Sequence, residues 1–216
     1  MERKVIHLNI ANFGVAVERL LDSSLKQRPL ILAQPASRAV VYDMSEEAYQ
    51  DGVRKGMHLG LARKRCRKAQ VMPPRPAQYE EVMQKCARHA FAFTPLVEQA
   101  TGSGHLYLDV TGTHRLHGPA PDIAWRMRKS LRSDLGLDPI WSVAPNKLVA
   151  KVASRLVKPV GEYIVAEGEE ASFLAPLPLA LLPGITQPDL ARLQELNVRL
   201  ASHAAALPLQ DLSLLC

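Results

Sequence analysis

The stretch WSVAPNKLVAKVASRLVKP, Trp141 to Pro159, decides how the rest of the chain reads. Within it Val149, Val152, Ala153 and Leu156 recur at i, i+3, i+4 and i+7, the period of a helix that buries one stripe. Lys147, Lys151, Arg155 and Lys158 recur at i, i+4, i+8 and i+11. On one helix they form a cationic row about 16 Å long at 1.5 Å per residue. No acidic residue interrupts the row. A solvated face and a face that tracks phosphates are both open for it.

Upstream, ATGSGHLYLDVTGT (Ala100 to Thr113) alternates like a half-buried strand between glycine-rich turns, and its tip offers only glycine, serine and histidine. Between the two, IAWRMRKSLRSDLG sets Ile123, Met127, Leu131 and Leu135 in one apolar row and turns Arg126, Arg128, Lys129 and Arg132 elsewhere. At the start of the chain, Val5 to Phe13 alternates as a strand and Gly14 to Ser24 reads as a short amphipathic helix. PLILA and AVVYDMS are strand candidates around a QPAS turn, and EEAYQDGVRKGM is a helical turn ended by Gly52 and Gly56. LGLARKRCRK is a short basic helix, QVMPPRP an extended edge closed by prolines, and the next helix puts Tyr79, Val82, Met83, Cys86 and Ala90 on one face.

Downstream of Gly161 the composition turns to leucine, alanine and proline. FLAPLPLALLPGITQPDLARLQEL contains a short helix, a Pro183-Gly184-Ile185 turn and a second helix, the pattern of a helix-hairpin-helix element or of a plain helical hairpin. In the former, backbone N–H groups at the turn can cradle a DNA phosphate.

Hydrophobic residues make up 47% of the 216 and charged residues 22%, the balance of a globular chain. No apolar run approaches the roughly 20 residues of a membrane helix. The opening MERKVIHLNI goes straight into strand alternation, so a cytoplasmic protein is expected. Cys66, Cys86 and Cys216 lack CxxC spacing and read as two core thiols and one tail thiol. Residues 1–159 carry 25 cationic and 14 acidic side chains, a net +11, whereas residues 160–216 carry 2 and 7, a net −5. The basic part could steer a polyanion; the acidic tail favours the plain hairpin. There is no GxxxxGK[ST], GxGxxG or HExxH motif, and His114 with His117 has no cysteine nearby to complete a zinc set, so that pair reads as a solvated turn.

Taken in order, HLNIANFG, EEAYQDGVRKGM, TPLVEQATGSGHLYLDVTGT, VAPNKLVAKVASRLVKPVGEYIV and PLALLPGI resemble the Y-family translesion DNA polymerases, with their DinB-like, UmuC-like and ImuB-like branches. The resemblance covers nearly the whole chain. It implies an α+β fold: a palm of mixed sheet and helices at 1–25 and 76–165, a small fingers lobe at 26–75, and a helical helix-hairpin-helix thumb at 166–216, with the little finger absent.

The same resemblance locates a site. Nucleotidyl transfer in the family uses two divalent metals held by three carboxylates. Those positions fall on Asn9, Gly104 and His105, so the catalytic set is degenerate. Asp109 lies too far along its strand to join it, and Asp43 stays open as a lone carboxylate. The fingers tyrosine and arginine fall on Glu46 and Tyr49, and the aromatic gate on Gly14, while Phe13 and Lys147 match as a remnant of the nucleotide site. Lys147, Lys151, Arg155, Lys158 and Gly184 are the DNA-contact candidates.

These losses lead to the expectation of a catalytically inactive, ImuB-like adaptor in damage-induced, SOS-type translesion synthesis and mutagenesis, with no metal or other cofactor. Its partners by resemblance are DNA, held weakly and without sequence preference, a RecA-like or ImuA-like protein, the sliding clamp and a separate error-prone polymerase. The alternatives are an active error-prone polymerase using magnesium through unconventional ligands, and a protein-interaction module that does not bind DNA.

Overall fold

A computed structural model describes residues 2–100 and 102–215, so Cys216 lies outside the described residues. In chain order the elements are β1 (Val5–Asn9), α1 (Phe13–Leu21), β2 (Leu30–Leu32), β3 (Asp43–Met44), α2 (Glu46–Gln50), α3 (Leu59–Arg65) and β4 (Gln70–Met72). There follow α4 (Pro76–Ala90), β5 (Val97–Ala100), β6 (His105–Asp109), α5 (His114–His117), α6 (Ala120–Leu135), β7 (Ile140–Ala144) and α7 (Lys147–Leu156). The last are β8 (Glu162–Ile164), α8 (Glu170–Leu174), α9 (Gln187–Glu195), α10 (Ala201–Ala205) and α11 (Leu209–Leu215). The fold is α+β, with strands ordered β5-β6-β1-β7-β8 in one sheet and β3-β2-β4 in another. No helix among the described residues is long and apolar enough to cross a membrane.

The chain divides into two compact units. The first comprises Met1–His7, Tyr107–Arg126 and Ile140–Cys216. In it β8 runs parallel to β7, pairing Trp141 with Glu162 and Val143 with Ile164. Asn146 starts α7 by accepting the Val149 N–H at 2.9 Å, the usual work of an N-cap amide. The buried face of α7 then joins Val149, Ala150 and Ala153 to Ala144 and Val165. His7 is fully buried, stacks on Tyr107 at 4.5 Å, and meets the Ser154 hydroxyl at 2.9 Å. A separate helical cluster gathers Leu179, Leu190, Leu193 and Val198.

The second unit comprises Leu8–Leu106 and Met127–Pro139. Here β2 pairs antiparallel with β3 and parallel with β4. Ile31, Val41, Met44, Ala48, Val53, Leu59, Ala62 and Cys66 pack into one core. Glu18 is buried and is held by the Tyr79 hydroxyl at 2.6 Å and by the Arg75 guanidinium, which ties α1 to α4.

Several expectations need correction. All five residues of β1 are buried, His7 and Asn9 included, because a strand flanked on both sides does not follow the in–out alternation of a half-solvated one. It ends at Asn9 rather than Phe13, where the left-handed Asn12 (φ 47°) turns the chain into α1. β6 likewise buries three consecutive residues, Leu106 to Leu108. The AVVYDMS strand shrinks to Asp43–Met44, since Val41 exchanges its backbone bonds with the turn at Gly56 and Met57. Leu156 is 38% exposed and leaves the predicted α7 stripe; Ser154 is buried instead. α7 stops at Leu156, so Lys158 is off the helix and the cationic row shortens to Lys147, Lys151 and Arg155, about 12 Å.

Candidate active site

The positions singled out at the tips of β1 and β6 belong to the second unit. Asn9 closes β1, is 1% exposed, and its Nδ2 has no hydrogen-bond partner. Gly104 precedes β6 at φ 75°, and its carbonyl accepts the Ile10 N–H at 2.8 Å. A Cβ placed on Gly104 would lie 2.6 Å from Phe13 Cβ and 2.7 Å from the Ile10 carbonyl oxygen. No side chain of any kind fits there without moving backbone. His105 opens β6, half-buried. Phe13 is buried and meets the Tyr79 ring edge-on at 6.4 Å.

Asp43 is the carboxylate that sequence reasoning left open, and the structure gives it a definite role. It is buried on β3, with Oδ2 accepting the Gly14 N–H at 2.8 Å and Oδ1 accepting its neighbour Met44 N–H at 3.0 Å. The Lys55 ammonium pairs with the same Oδ1 at 3.0 Å. Gly14 is the second residue of α1, and Asn12 at the N-cap makes no side-chain cap. Asp43 therefore supplies from another strand the negative charge that a helix N-terminus attracts. The glycine at 14 is part of this arrangement, since a Cβ there would sit 3.1 Å from Asp43 Oδ2 and 2.9 Å from Leu32 Cδ1. The alternation of AVVYDMS carries no hint of this partnership.

An open cleft of about 320 Å³ lies beside α1, lined among others by Asn12, Arg19, Lys26, Ser45 and Glu46. Ser45 caps α2 and its hydroxyl also accepts the Leu30 N–H at 3.0 Å. Arg19 is engaged by Glu47, both carboxylate oxygens at 3.0 Å. Tyr49 is exposed, with the Arg54 guanidinium 3.8 Å from its ring centre; Arg54 also donates to the Tyr49 and Val53 carbonyls, each at 2.7 Å.

Two hard divalent cations, the pair that the resemblance implies, need clustered anionic oxygen donors. Asn9 offers a neutral amide, Gly104 has no room for a side chain, His105 is an imidazole suited to softer metals, and the Asp43 carboxylate is already taken by two N–H groups and an ammonium. Among the described residues no group of three or more His, Cys, Asp or Glu side chains is placed to hold a metal. These donors do not fit such a pair.

The DNA-contact candidates Lys147, Lys151, Arg155, Lys158 and Gly184 all belong to the first unit. Lys147 is exposed at the start of α7. Burial, and then the charge of Arg155, hold the Lys151 ammonium below its usual pKa. Arg155 donates to the Leu181 carbonyl at 2.5 Å, so it links α7 to the turn ahead of the hairpin. Gly184 adopts φ 97° with open space around it, as the tight turn requires. The helix that follows, α9, is capped by Thr186 and Asp189 in a reciprocal box, with the Thr186 N–H donating to Asp189 Oδ2 at 2.9 Å. The hydrogen bonds from Thr186 hold the Asp189 carboxyl below its ordinary pKa. A phosphate approaching this turn meets a carboxylate already in place.

Asp109, expected to be structural, accepts from Arg3 at 3.2 Å and from the Thr111 N–H at 3.1 Å. Cys66 and Cys86 are buried free thiols, as expected, and burial pushes the Cys86 thiol up to about 12.

The impB/mucB/samB family model matches residues 8–155. DNA polymerase IV of Dehalococcoides mccartyi (strain CBDB1) is 35% identical over 207 residues, 95% of this chain and 53% of that protein. DNA polymerase IV of Serratia proteamaculans (strain 568) is 34% identical over 197 residues, 91% of this chain and 56% of that protein. The chain spans about half the length of these relatives. Among solved structures, the insertion ternary complex of Dbh DNA polymerase superposes with a TM-score of 0.86 at 25% identity, covering 98% of this chain and 63% of that one. DinB from Sulfolobus solfataricus gives 0.87 at 24% identity, covering 98% and 62%.

These findings overturn the expectation of a catalytically inactive adaptor. That expectation weighed six positions, Asn9, Gly104, His105, Glu46, Tyr49 and Gly14, whereas the relatives align over nine-tenths of the chain and carry the name of a polymerase. Nothing in the comparisons sets the chain apart as silent or as ImuB-like, and they favour the alternative of a working polymerase.

Proposed function

This chain belongs to the impB/mucB/samB family, and from that premise we propose that it is the palm, fingers and thumb portion of an error-prone, template-directed DNA polymerase of the DNA polymerase IV kind. The palm takes 1–25 and 76–165, the fingers 26–75 and the thumb 166–216. The observation that carries the reading is the identity of 34 to 35% with DNA polymerase IV proteins across 91 to 95% of the chain. In the proposed reaction the primer 3′ oxygen forms a bond to the α-phosphorus of a nucleoside triphosphate, and the bond to pyrophosphate breaks.

Asn9 and His105 stand at the tips of β1 and β6 where carboxylates are usual in the family, and they are the polar side chains that this reading assigns to the site. Phe13 and Gly104 shape the floor below them through close packing. DNA is the macromolecular substrate, held without sequence preference through Lys147 and Lys151, with Arg155 positioning the hairpin through Leu181. A sliding clamp and a RecA-like companion are the further partners proposed, in translesion synthesis.

Primer extension by the purified chain on a defined template, with magnesium and then manganese, tests the proposal. Templated incorporation that falls at least tenfold in Asn9→Ala and His105→Ala supports it. A chain that binds primer-template DNA yet adds no nucleotide with either metal overturns it.

A further inference from the structure

Leu61 to Lys68 reads LARKRCRK, five cations in eight residues with no acid among them. The apolar side of this segment is spent in the core of the second unit, where Leu59, Ala62 and Cys66 pack with Ile31 and Val41. Its charged side faces out: Arg63, Lys64, Arg65, Arg67 and Lys68 are all exposed. Arg65 is committed, donating to the Gly52 carbonyl at 2.6 Å across a glycine at φ 87°. The other four have no ion pair or hydrogen-bonded partner among the described residues.

Several other cations of the same unit are paired. Arg19 is paired with Glu47, Lys55 with Asp43, Arg75 with Glu18, Lys85 with Glu81 and Arg128 with Asp138. The negative end of α3 compensates cations on its last turn, but Arg67 and Lys68 lie beyond the Cys66 cap. Four like charges held close together and unneutralised destabilise a fold by mutual repulsion, and they are tolerated where a polyanion supplies the opposite charge. The Arg65 to Gly52 bond ties this segment to the turn that ends α2, the helix carrying Tyr49 under Arg54, an exposed aromatic with a cation on its face. Cations beside an exposed aromatic ring suit a nucleic-acid strand, whose phosphates and bases they meet together. A protein-binding face would centre on apolar and aromatic side chains, and within the run only Leu61 is an exposed large apolar residue.

We propose that Arg63, Lys64, Arg67 and Lys68 form a second DNA-backbone contact, independent of the α7 row and indifferent to base sequence. The inference rests on the DNA-directed reading above and assigns it a surface that the α7 row does not include.

The test is fluorescence anisotropy of the intact chain and of Arg63→Gln/Lys64→Gln/Arg67→Gln/Lys68→Gln with labelled single-stranded, duplex and primer-template DNA between 50 and 200 mM KCl. Each phosphate contact contributes about 0.7 (single strand) to 0.9 (duplex) to the slope of log affinity against log salt. The quadruple variant should therefore lose about 3 from that slope, so that the intact chain weakens by about two decades more than the variant across this salt range. The DNA form showing the larger loss identifies the strand in contact. Lys64→Gln/Lys68→Gln, expected to show about half the effect, serves if the quadruple variant does not fold. An unchanged slope on every DNA form, in a variant whose circular dichroism matches the parent, overturns the inference, whether or not the variant has lost affinity for an acidic protein. The two readings fail separately. A slope difference without primer extension retains this surface and refutes the polymerase; extension with an unchanged slope does the reverse.

Discussion

Asp43 on β3 accepts the Gly14 N–H at 2.8 Å, so a buried carboxylate from one element closes the first turn of another. Replacing Asp43 by alanine leaves the Gly14 and Met44 N–H groups without their acceptor and frees Lys55. Unsatisfied buried donors cost about 1–3 kcal/mol each, so Asp43→Ala should lower stability by about 3 kcal/mol, and Asp43→Asn by about 1 kcal/mol. Urea denaturation measures both. An Asp43→Ala midpoint equal to that of the parent would show that the carboxylate does not hold α1.

Gly104 predicts a second loss. Its φ of 75° and the approach of Ile10 O and Phe13 Cβ make alanine as unwelcome as a larger residue. Gly104→Ala should destabilise by about 2–4 kcal/mol through overpacking and left-handed strain. Gly104→Asp should do at least as much, without creating a metal site. A thermal melt reads the first effect, and magnesium titration of the aspartate variant reads the second. A melting temperature that rises with magnesium in Gly104→Asp alone would contradict the packing argument.

The pair of Arg128 with Asp138 gives a pH-dependent prediction. Arg128 donates to both carboxylate oxygens, at 2.5 and 3.1 Å, and this hydrogen bonding holds the Asp138 carboxyl below its ordinary value, near 3.9 in an unfolded chain. The folded state thus keeps the charged form more readily than the unfolded one. Its stabilisation is complete above about pH 5 and is lost as pH falls through the folded-state pKa. The pair is partly solvated, so the gain is under about 1 kcal/mol. Asp138→Asn should melt slightly below the parent at pH 7, and the gap should narrow as pH falls. A gap that widened on acidification would refute the sign.

Charge reversal on α7 is the fourth prediction. Lys147→Glu/Lys151→Glu should weaken DNA binding at least tenfold at 50 mM salt, since each reversal removes an attraction and adds a repulsion. Arg155→Ala should act differently, because its guanidinium holds the Leu181 carbonyl: about 1 kcal/mol of stability, with a smaller effect on DNA. Anisotropy and thermal melting separate the two. Equal binding by parent and double variant would remove the row from the interface.

How much of this could be read in advance depends on how local each feature is. α7 was legible because the valine period and the lysine spacing act within one helix. Its end was not: four-residue spacing carries a row to Lys158 on paper, while the helix stops at Leu156. The turn was visible in Pro183-Gly184, but the residues before it form only a short 3-10 turn at Leu179–Leu181, and the Thr186 and Asp189 box that fills the turn was passed over, although a threonine three residues before an acid is its signature. Asn9, Gly104 and His105 were located by resemblance, position by position. What the string could not show was that Gly104 has no room for a Cβ, or that Asp43 spends its charge on Gly14, since both depend on contacts between residues far apart in the chain.

The backbone at Gly104 also constrains the descent of this sequence. One codon change can turn a glycine into aspartate, but the resulting carboxyl would have to stand where Ile10 and Phe13 already are. A change to aspartate alone therefore cannot seat a carboxyl at this position; the turn must be rebuilt with it, at a cost in folding stability. Gly104 acts as a lock on this turn, which admits an acid only together with a new backbone path.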